Sequence, residues 1–308
     1  MTIQRRIARV DSVPPLEPGF AGPGHTAAPV ISMAEFAQTD PFIALMDDHL
    51  DMGERQVGGA HPHAGFETVT LMLDGTIQDP DEGGVFHAGE AQWMTAGSGI
   101  IHGEHAKALG KTRLLQLWLT LPRVDRWTAP SFQDLHADRV PVRRERGVNV
   151  RVYSGASGGL SAPTRNHVPV TIVEILMQPH ASIEQELPST YNGFVFVLEG
   201  SVRGGEDATP IERNQVGWLD RPRGDDASVV HFTAQEGGAR VVLYAGQPQG
   251  TPIVSHGPFI GDTIDDIKRS YQEYREGRFP RMSEIAAPAR GVYGVTRAEL
   301  HTAKHHDR

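Results

Sequence analysis

The chain has 308 residues, a net charge of −9 and no cysteine, which excludes disulfide scaffolds, zinc–thiolate sites and thiol nucleophiles. Its one basic run, RRERGVNVR at 143–151, is too short to neutralise a phosphate backbone. Direct nucleic-acid binding is therefore excluded, and the run is expected to be a solvated segment between domains. No stretch approaches ~18 apolar residues, and MTIQRRIARV is charged where a signal peptide would be apolar, so a cytoplasmic protein without membrane contact is expected.

Gly and Pro are abundant (34 and 22) and hydrophobic residues make up 39%, a balance that favours short strands and many turns around a real core. The length predicts two domains. In chain order, HPHAGFETVTLMLDGTI (61–77) reads as a strand entering a hairpin at Asp74–Gly75. GVFHAGEAQWMTAGSGIIHGEHA (84–106) and TRLLQLWLTLP from Thr112 continue the strand pattern, and the chain turns polar and irregular from Pro122 to Val150, where the link between domains is expected.

The second half repeats the plan. NGFVFVLEGSV (192–202) and QVGWLDRPRG (215–224) align with TVTLMLDGTI and AQWMTAGSG under one offset of 125 residues. Leu73, Asp74 and Gly75 fall on Leu198, Glu199 and Gly200, Trp93 on Trp218 and Gly99 on Gly224. This pattern predicts an internally duplicated β domain. One helix is expected, in DTIDDIKRSYQEYREGRF, with Thr263 as N-cap, Ile264, Ile267, Tyr271 and Tyr274 on its packed face, and Gly277 as its stop. The tail HTAKHHDR is expected to fray. The predicted division is 1–130, 131–290 and a tail at 291–308.

Side chains at i and i+2 of a strand share a face, so His61 and His63 point the same way, and Glu67 joins them if no bulge intervenes. His102 and Glu104 repeat the spacing, while His105 has the opposite parity and His87 is expected to be structural. Two such strands facing each other bring three imidazoles and one carboxylate together. That donor set suits iron, manganese, nickel or copper better than magnesium and leaves open positions in an octahedral shell. The 125-residue offset carries His61, His63, His102 and Glu104 onto Glu186, Pro188, Ala227 and Val229. The second copy therefore lacks the site, His180 and His231 are scattered polar residues, and one metal per chain is predicted.

HPHAGFETVTLMLDG, GEAQWMTAGSGIIHGE and HGPFIGDTIDDIKRSYQEYREGRF together resemble the pirin family of the cupin superfamily. The resemblance implies an all-β fold of two tandem cupin (jelly-roll-like β-barrel) domains with a C-terminal helix, the metal lying in the N-terminal one. Pirin-like chains place their carboxylate ligand two residues after the later histidine, as His102 and Glu104 do. Glu67 then becomes a residue that orients a histidine or contacts substrate. Fe(II) is the expected cofactor, although the same donors accept Mn, Ni, Cu, Co or Zn.

The implied activity is that of a quercetin 2,3-dioxygenase, cleaving a flavonol or related enolisable phenol with O2 to a depside and carbon monoxide. Glu104 would serve as ligand and general base. Val69, Leu71, Met72, Trp93 and Met94 are barrel residues expected mainly to pack the core. The alternative is an iron-dependent redox-sensing regulator acting through a protein partner; a metal-dependent isomerase or hydrolase is a third reading. Oxygen uptake separates the first from the other two.

Overall fold

The computed structural model of the protein describes residues 2–79, 84–103, 105–222, 224, 226–285 and 290–292. The chain divides into two compact units. The first gathers 16–33, 42–139 and the chain from 251 onward; the second gathers 1–15, 34–41 and 140–250. The expected boundary at 130/131 is thus crossed in both directions. Strand pairing is the cause. Ile7–Ser12 pairs with Gln215–Leu219, whereas Ser131–Leu135 pairs with Ala91–Thr95. A strand-like sequence announces a strand but not the sheet edge that accepts it.

The first domain contains strands β1 (His25–Ile31), β2 (Phe42–Leu50), β3 (His61–His63), β4 (Phe66–Asp74), β5 (Ala91–Thr95), β6 (Ile100–His102), β7 (Thr112–Thr120) and β8 (Ser131–Leu135). Its main sheet runs in the order Arg290–Val292, β8, β5, β4, β7, β2, β1, Glu17–Pro18. β3 and β6 form a separate two-stranded ladder. The hairpin after β4 turns at Gly75, whose φ of +80° suits glycine and whose Cβ position is filled by Lys111 and Thr112.

The second domain contains β9 (Val148–Ser154), β10 (Val170–Met177), β11 (Ser182–Pro188), β12 (Asn192–Gly204), β13 (Gln215–Leu219) and β14 (Ala227–Gly246). Its main sheet path is Val142–Glu145, β9, β10, β14, β12, β13, Ile7–Ser12. The basic run 143–151 is not a linker. It forms the hairpin of Val142–Glu145 with β9, and its charge is met locally, Arg143 by Glu145 and Arg151 by the buried Glu174 at 2.7 Å.

The duplication extends to hydrogen-bond register. Trp93 pairs with Val69 and Ala91 with Leu71; Trp218 pairs with Phe194 and Val216 with Phe196. The 125-residue offset fits all four pairs, and both hairpin glycines, Gly75 and Gly200, have positive φ. Beyond Gly224 the match slips by two positions. His61 pairs with His102, but Glu186 pairs with Val229, so Val229 rather than Ala227 stands in the place of His102. The conclusion drawn from the sequence survives the shift, because valine offers no donor.

The helix Ile264–Arg275 is capped by Thr263, whose side chain accepts from the Asp266 amide while Asp266 answers the Thr263 amide. Most of the expected face is packed: Ile267 is buried, Tyr271 joins it, and Tyr274, though partly exposed, sets its ring against Phe259 and Phe279, while Ile264 stays exposed. Ile267 meets Phe259, Phe279 and Ala64, which places the helix in the first domain. Arg126, fully buried, ties the segment down through Asp262 at 3.0 Å and the Gly65 carbonyl at 2.9 Å. The tail from 293 lies outside the described residues. No described helix is long and apolar enough to cross a membrane.

Candidate metal centre

Two glycines shape the β3–β6 ladder. Gly65, at φ +87°, ends β3, and any Cβ there would strike the Ile260 carbonyl. Gly103, at φ +76°, lets the His61 ring lie close, since a Cβ would sit 3.1 Å from it. Within the ladder His61 pairs with His102 and His63 with Ile100. Ring centroids are 4.3 Å apart for His61 and His102, 4.9 Å for His61 and His63, and 5.0 Å for His63 and His102. One ring nitrogen from each lies within 4.8 Å of the others. Among the described residues, no second group of three potential ligands converges this way.

Each ring is prepared differently. The Nδ1–H of His61 donates to the Gly59 carbonyl at 2.8 Å, which leaves the Nε2 lone pair available. His63 is buried, and its Nδ1 has no hydrogen-bond partner. Burial, then the neighbouring His102 and His61, holds its pKa well below the usual value, against the pull of the Pro258 carbonyl. A buried neutral imidazole beside two others is costly as plain core and well suited to a cation, so the donors present fit a borderline divalent metal.

Glu104 lies outside the described residues. Glu67 does not share the histidines' face, contrary to the expectation of unbroken parity. The break at Gly65 resets the alternation, so Glu67 falls in phase with Val69 and Leu71. It is fully buried and accepts from Thr95 Oγ1 at 2.7 Å. His105 is exposed, as its parity predicts, and His87 is exposed beside Thr76.

A cavity of about 550 Å³ opens on the three histidines. Much of its wall is apolar, with Leu50, Met72, Phe86 and Leu114 forming one buried cluster. Trp118 presents its ring to His63 at 5.3 Å, and Phe20, largely exposed, reaches within 6.1 Å of His61. Of the five apolar barrel residues singled out in the sequence, only Met72 lines the cavity; Met94 packs with Ala96, Ile100 and Phe132.

Sequence reasoning missed the polar part of the wall. His25 and Asp48 meet at 2.7 Å inside it. The Ala21 amide donates to His25 Nδ1, so the proton sits on Nε2 and is given to Asp48. Thr70 donates to Gln116 Oε1 at 2.8 Å. Gln116 and Trp118 were legible signals: both share the parity of Leu114 in TRLLQLWLT, a polar and an aromatic break in an apolar run.

Comparison with known proteins agrees with this architecture. The pirin domain model matches residues 25–119, and the model of the pirin C-terminal cupin domain matches 172–280. Pirin-like protein 2 of Arabidopsis thaliana is 34% identical over 264 residues, covering 83% of this chain and 81% of its own. The structure of GK1651 from Geobacillus kaustophilus is 36% identical with a TM-score of 0.73, covering 82% of this chain and all (100%) of that one. A quercetin 2,3-dioxygenase from Acinetobacter baumannii is 26% identical with a TM-score of 0.77, covering 89% and 98%. Two tandem β domains, a histidine cluster in the first, and these matches along most of the chain lead to one assignment: the chain belongs to the pirin family, with two cupin domains.

Proposed function

We propose that this chain is a metal-dependent dioxygenase that cleaves quercetin or a related flavonol or enolisable phenol with O2. His61, His63 and His102 would hold the metal, Fe(II) foremost, with Glu104 as the fourth ligand. The observation that carries this reading is the convergence of three imidazoles at the wall of a cavity large enough for a drug-sized aromatic. The likeness to a quercetin 2,3-dioxygenase adds support.

When bound, the metal supplies the Lewis acidity that favours a substrate enolate and the redox capacity that dioxygen chemistry needs. The chain's residues do the rest. The Gly59 carbonyl fixes the His61 tautomer so that Nε2 faces outward as a donor. Burial keeps His63 neutral, so its lone pair is not lost to a proton. The Leu50–Met72–Phe86–Leu114 wall excludes water from an enolised ring. A Glu104 carboxylate oxygen would take the hydroxyl proton as the ligand binds.

The test is turnover under labelled dioxygen. Incorporation of both label atoms into the depside, with the carbon monoxide unlabelled because it carries the substrate's own 3-oxygen, supports the reading. An unlabelled product, or ring opening that proceeds without O2, sinks it.

A further inference from the structure

His25 and Asp48 form a polar pair at positions that the duplicated fold fills with valine. On β1 and β2, His25 pairs with Leu50 and Ala27 with Asp48; on β9 and β10, Val150 pairs with Ile175 and Val152 with Val173. The 125-residue offset carries each residue onto its counterpart, so Val150 and Val173 stand in the places of His25 and Asp48. Both valines are fully buried in the apolar core of the second domain. The same two strands therefore close without a polar side chain here, and a buried polar pair gains little stability over apolar residues of similar volume. Packing does not account for the pair in the first domain.

The surrounding chain holds the pair in one state. The turn at 19–22 wraps His25: the Gly19 amide donates to the His25 carbonyl at 2.9 Å, and the His25 amide to the Gly22 carbonyl at 3.0 Å. The Ala21 amide donates to His25 Nδ1 at 3.1 Å, and a Cβ on Gly19 would strike the ring. His25 is thus fixed as the neutral tautomer that gives its Nε2–H to Asp48 Oδ1 at 2.7 Å. Among the described residues, no side chain bonds to the second carboxylate oxygen, Oδ2. The Asp48 side chain keeps 10% of its surface open, against 2% for His25, and it opens on the cavity that it lines. An acceptor held still in a largely apolar wall favours a ligand that brings a donor.

The pair stands apart from the metal ligands. Asp48 is not among the side chains whose donor atoms converge within 4.8 Å. Phe20 sets its ring edge-on to both neighbours, 5.3 Å from His25 and 6.1 Å from His61, so those two imidazoles lie no more than about 11 Å apart. Asp48 pairs with Leu114 on β7, four residues, about 13 Å, along the strand from Trp118, whose ring meets His63. These separations suit a two- or three-ring skeleton. A divalent ion on the histidines makes one end of the cavity cationic and attracts a deprotonated oxygen, whereas the carboxylate takes a neutral hydroxyl donor.

We propose that Asp48, oriented by His25, is a second recognition point of the cavity: its Oδ2 accepts a hydrogen bond from a ligand hydroxyl remote from the oxygen that meets the metal. The cavity thereby prefers polyphenols hydroxylated at both ends to those hydroxylated only at the chelating end. Asp48 is the specificity-determining residue and His25 positions it. This rests on the reading that a phenolic ligand is held at the histidines, but not on its being cleaved.

The experiment measures dissociation constants by fluorescence titration at pH 7, using the full chain with Zn(II) added and O2 excluded. The probes are 3-hydroxyflavone, which lacks a remote hydroxyl, and 3,7- and 3,4′-dihydroxyflavone, which carry one at either end. The better dihydroxy probe should bind about tenfold tighter than 3-hydroxyflavone. In Asp48→Asn, Oδ1 keeps the His25 N–H and the amide N–H groups face the cavity, a donor in place of an acceptor. That preference should then fall to about onefold with zinc content unchanged. The double variant His25→Val, Asp48→Val, which copies the second domain, should lose it too. A purely structural role for the pair would weaken all three probes together and leave their ratio as it was. That result, equal affinity of the three probes for the unaltered chain, a preference that survives in Asp48→Asn, or no binding by any probe would each overturn the inference. Asp48-dependent preference without O2 uptake in the iron form would instead sink the dioxygenase reading and leave this one standing.

Discussion

His61 and His102 are cross-strand partners in the short β3–β6 ladder, with ring centroids 4.3 Å apart. In a sheet such a pair is held by backbone hydrogen bonds, so neither ring depends on a flexible loop for its place. Substituting either by alanine should cost metal affinity by more than the roughly 10–100-fold that loss of an outer partner costs. Metal content after dialysis against a weak chelator checks this. Full occupancy in His102→Ala would mean that the ion sits elsewhere.

Gly65 separates the phase of β3 from that of β4. A Cβ at this position meets the Ile260 backbone carbonyl, and φ is +87°. Gly65→Ala should therefore destabilise by more than the ~1 kcal/mol of backbone strain alone. Gly110→Ala is the comparison, since it has φ +85° but no atom within 4 Å of the added methyl. Equal losses of melting temperature in the two variants would show that the contact with Ile260 carries no weight.

Arg126 holds Asp262, the Gly65 carbonyl and Thr120 from a fully buried position. Removing it leaves the mostly buried Asp262 carboxylate with only the exposed Arg123, 3.5 Å away, so Arg126→Ala should cost about 3 kcal/mol, the low end for breaking a buried pair. Lysine supplies a point charge rather than a planar fork and should restore only part of this. Hydrogen exchange of the 262–275 amides should accelerate in the alanine variant. Unchanged protection there would contradict the role of Arg126 as the tie for this segment.

Glu90 and His136 give a pH signature away from the metal ligands, with their side chains 3.4 Å apart. Burial pushes the Glu90 carboxyl up, but hydrogen bonds from His136 and from the His87 and Ala137 amides outweigh it and hold the pKa below 4.5. The Glu90 bond, aided by nearby Asp134 and Asp138, raises His136 above 6.5. A lowered acid loses its stabilisation as pH falls through its folded value; a raised base loses it as pH rises through its own. Coupling of about 1 kcal/mol should thus peak between about 4.5 and 6.5 and fade on either side. A double-mutant cycle with Glu90→Gln and His136→Asn, run at pH 5.5 and 8, checks this. Equal coupling at both values would refute it.

Local pattern carried much of the fold into the sequence. The Asp74–Gly75 hairpin, the Thr263 cap and the 125-residue repeat depend on turn chemistry and strand period, which are local. What was not legible depends on contacts distant in the chain. Ile7–Ser12 joins the second domain, and residues 251–285 return to the first, because of which edges and grooves accept them. Glu67 was misplaced for a related reason. Parity counts faces only along an unbroken strand, and the left-handed Gly65 resets the count. The three histidines were legible because the spacing H-x-H survives any such reset. His25 and Asp48 were not, since they stand 23 residues apart and meet only through β1–β2 pairing.

The histidine cluster, once loaded with iron, is proposed to support O2-dependent cleavage of a flavonol. The most direct measurement is oxygen consumption by the anaerobically Fe(II)-loaded chain on addition of quercetin, beside His102→Ala and Glu104→Gln. One O2 should be consumed per quercetin lost, with carbon monoxide released, and uptake should fall by at least about a hundredfold in both variants. No uptake by protein shown to hold one iron per chain, or undiminished uptake in His102→Ala, would contradict that role.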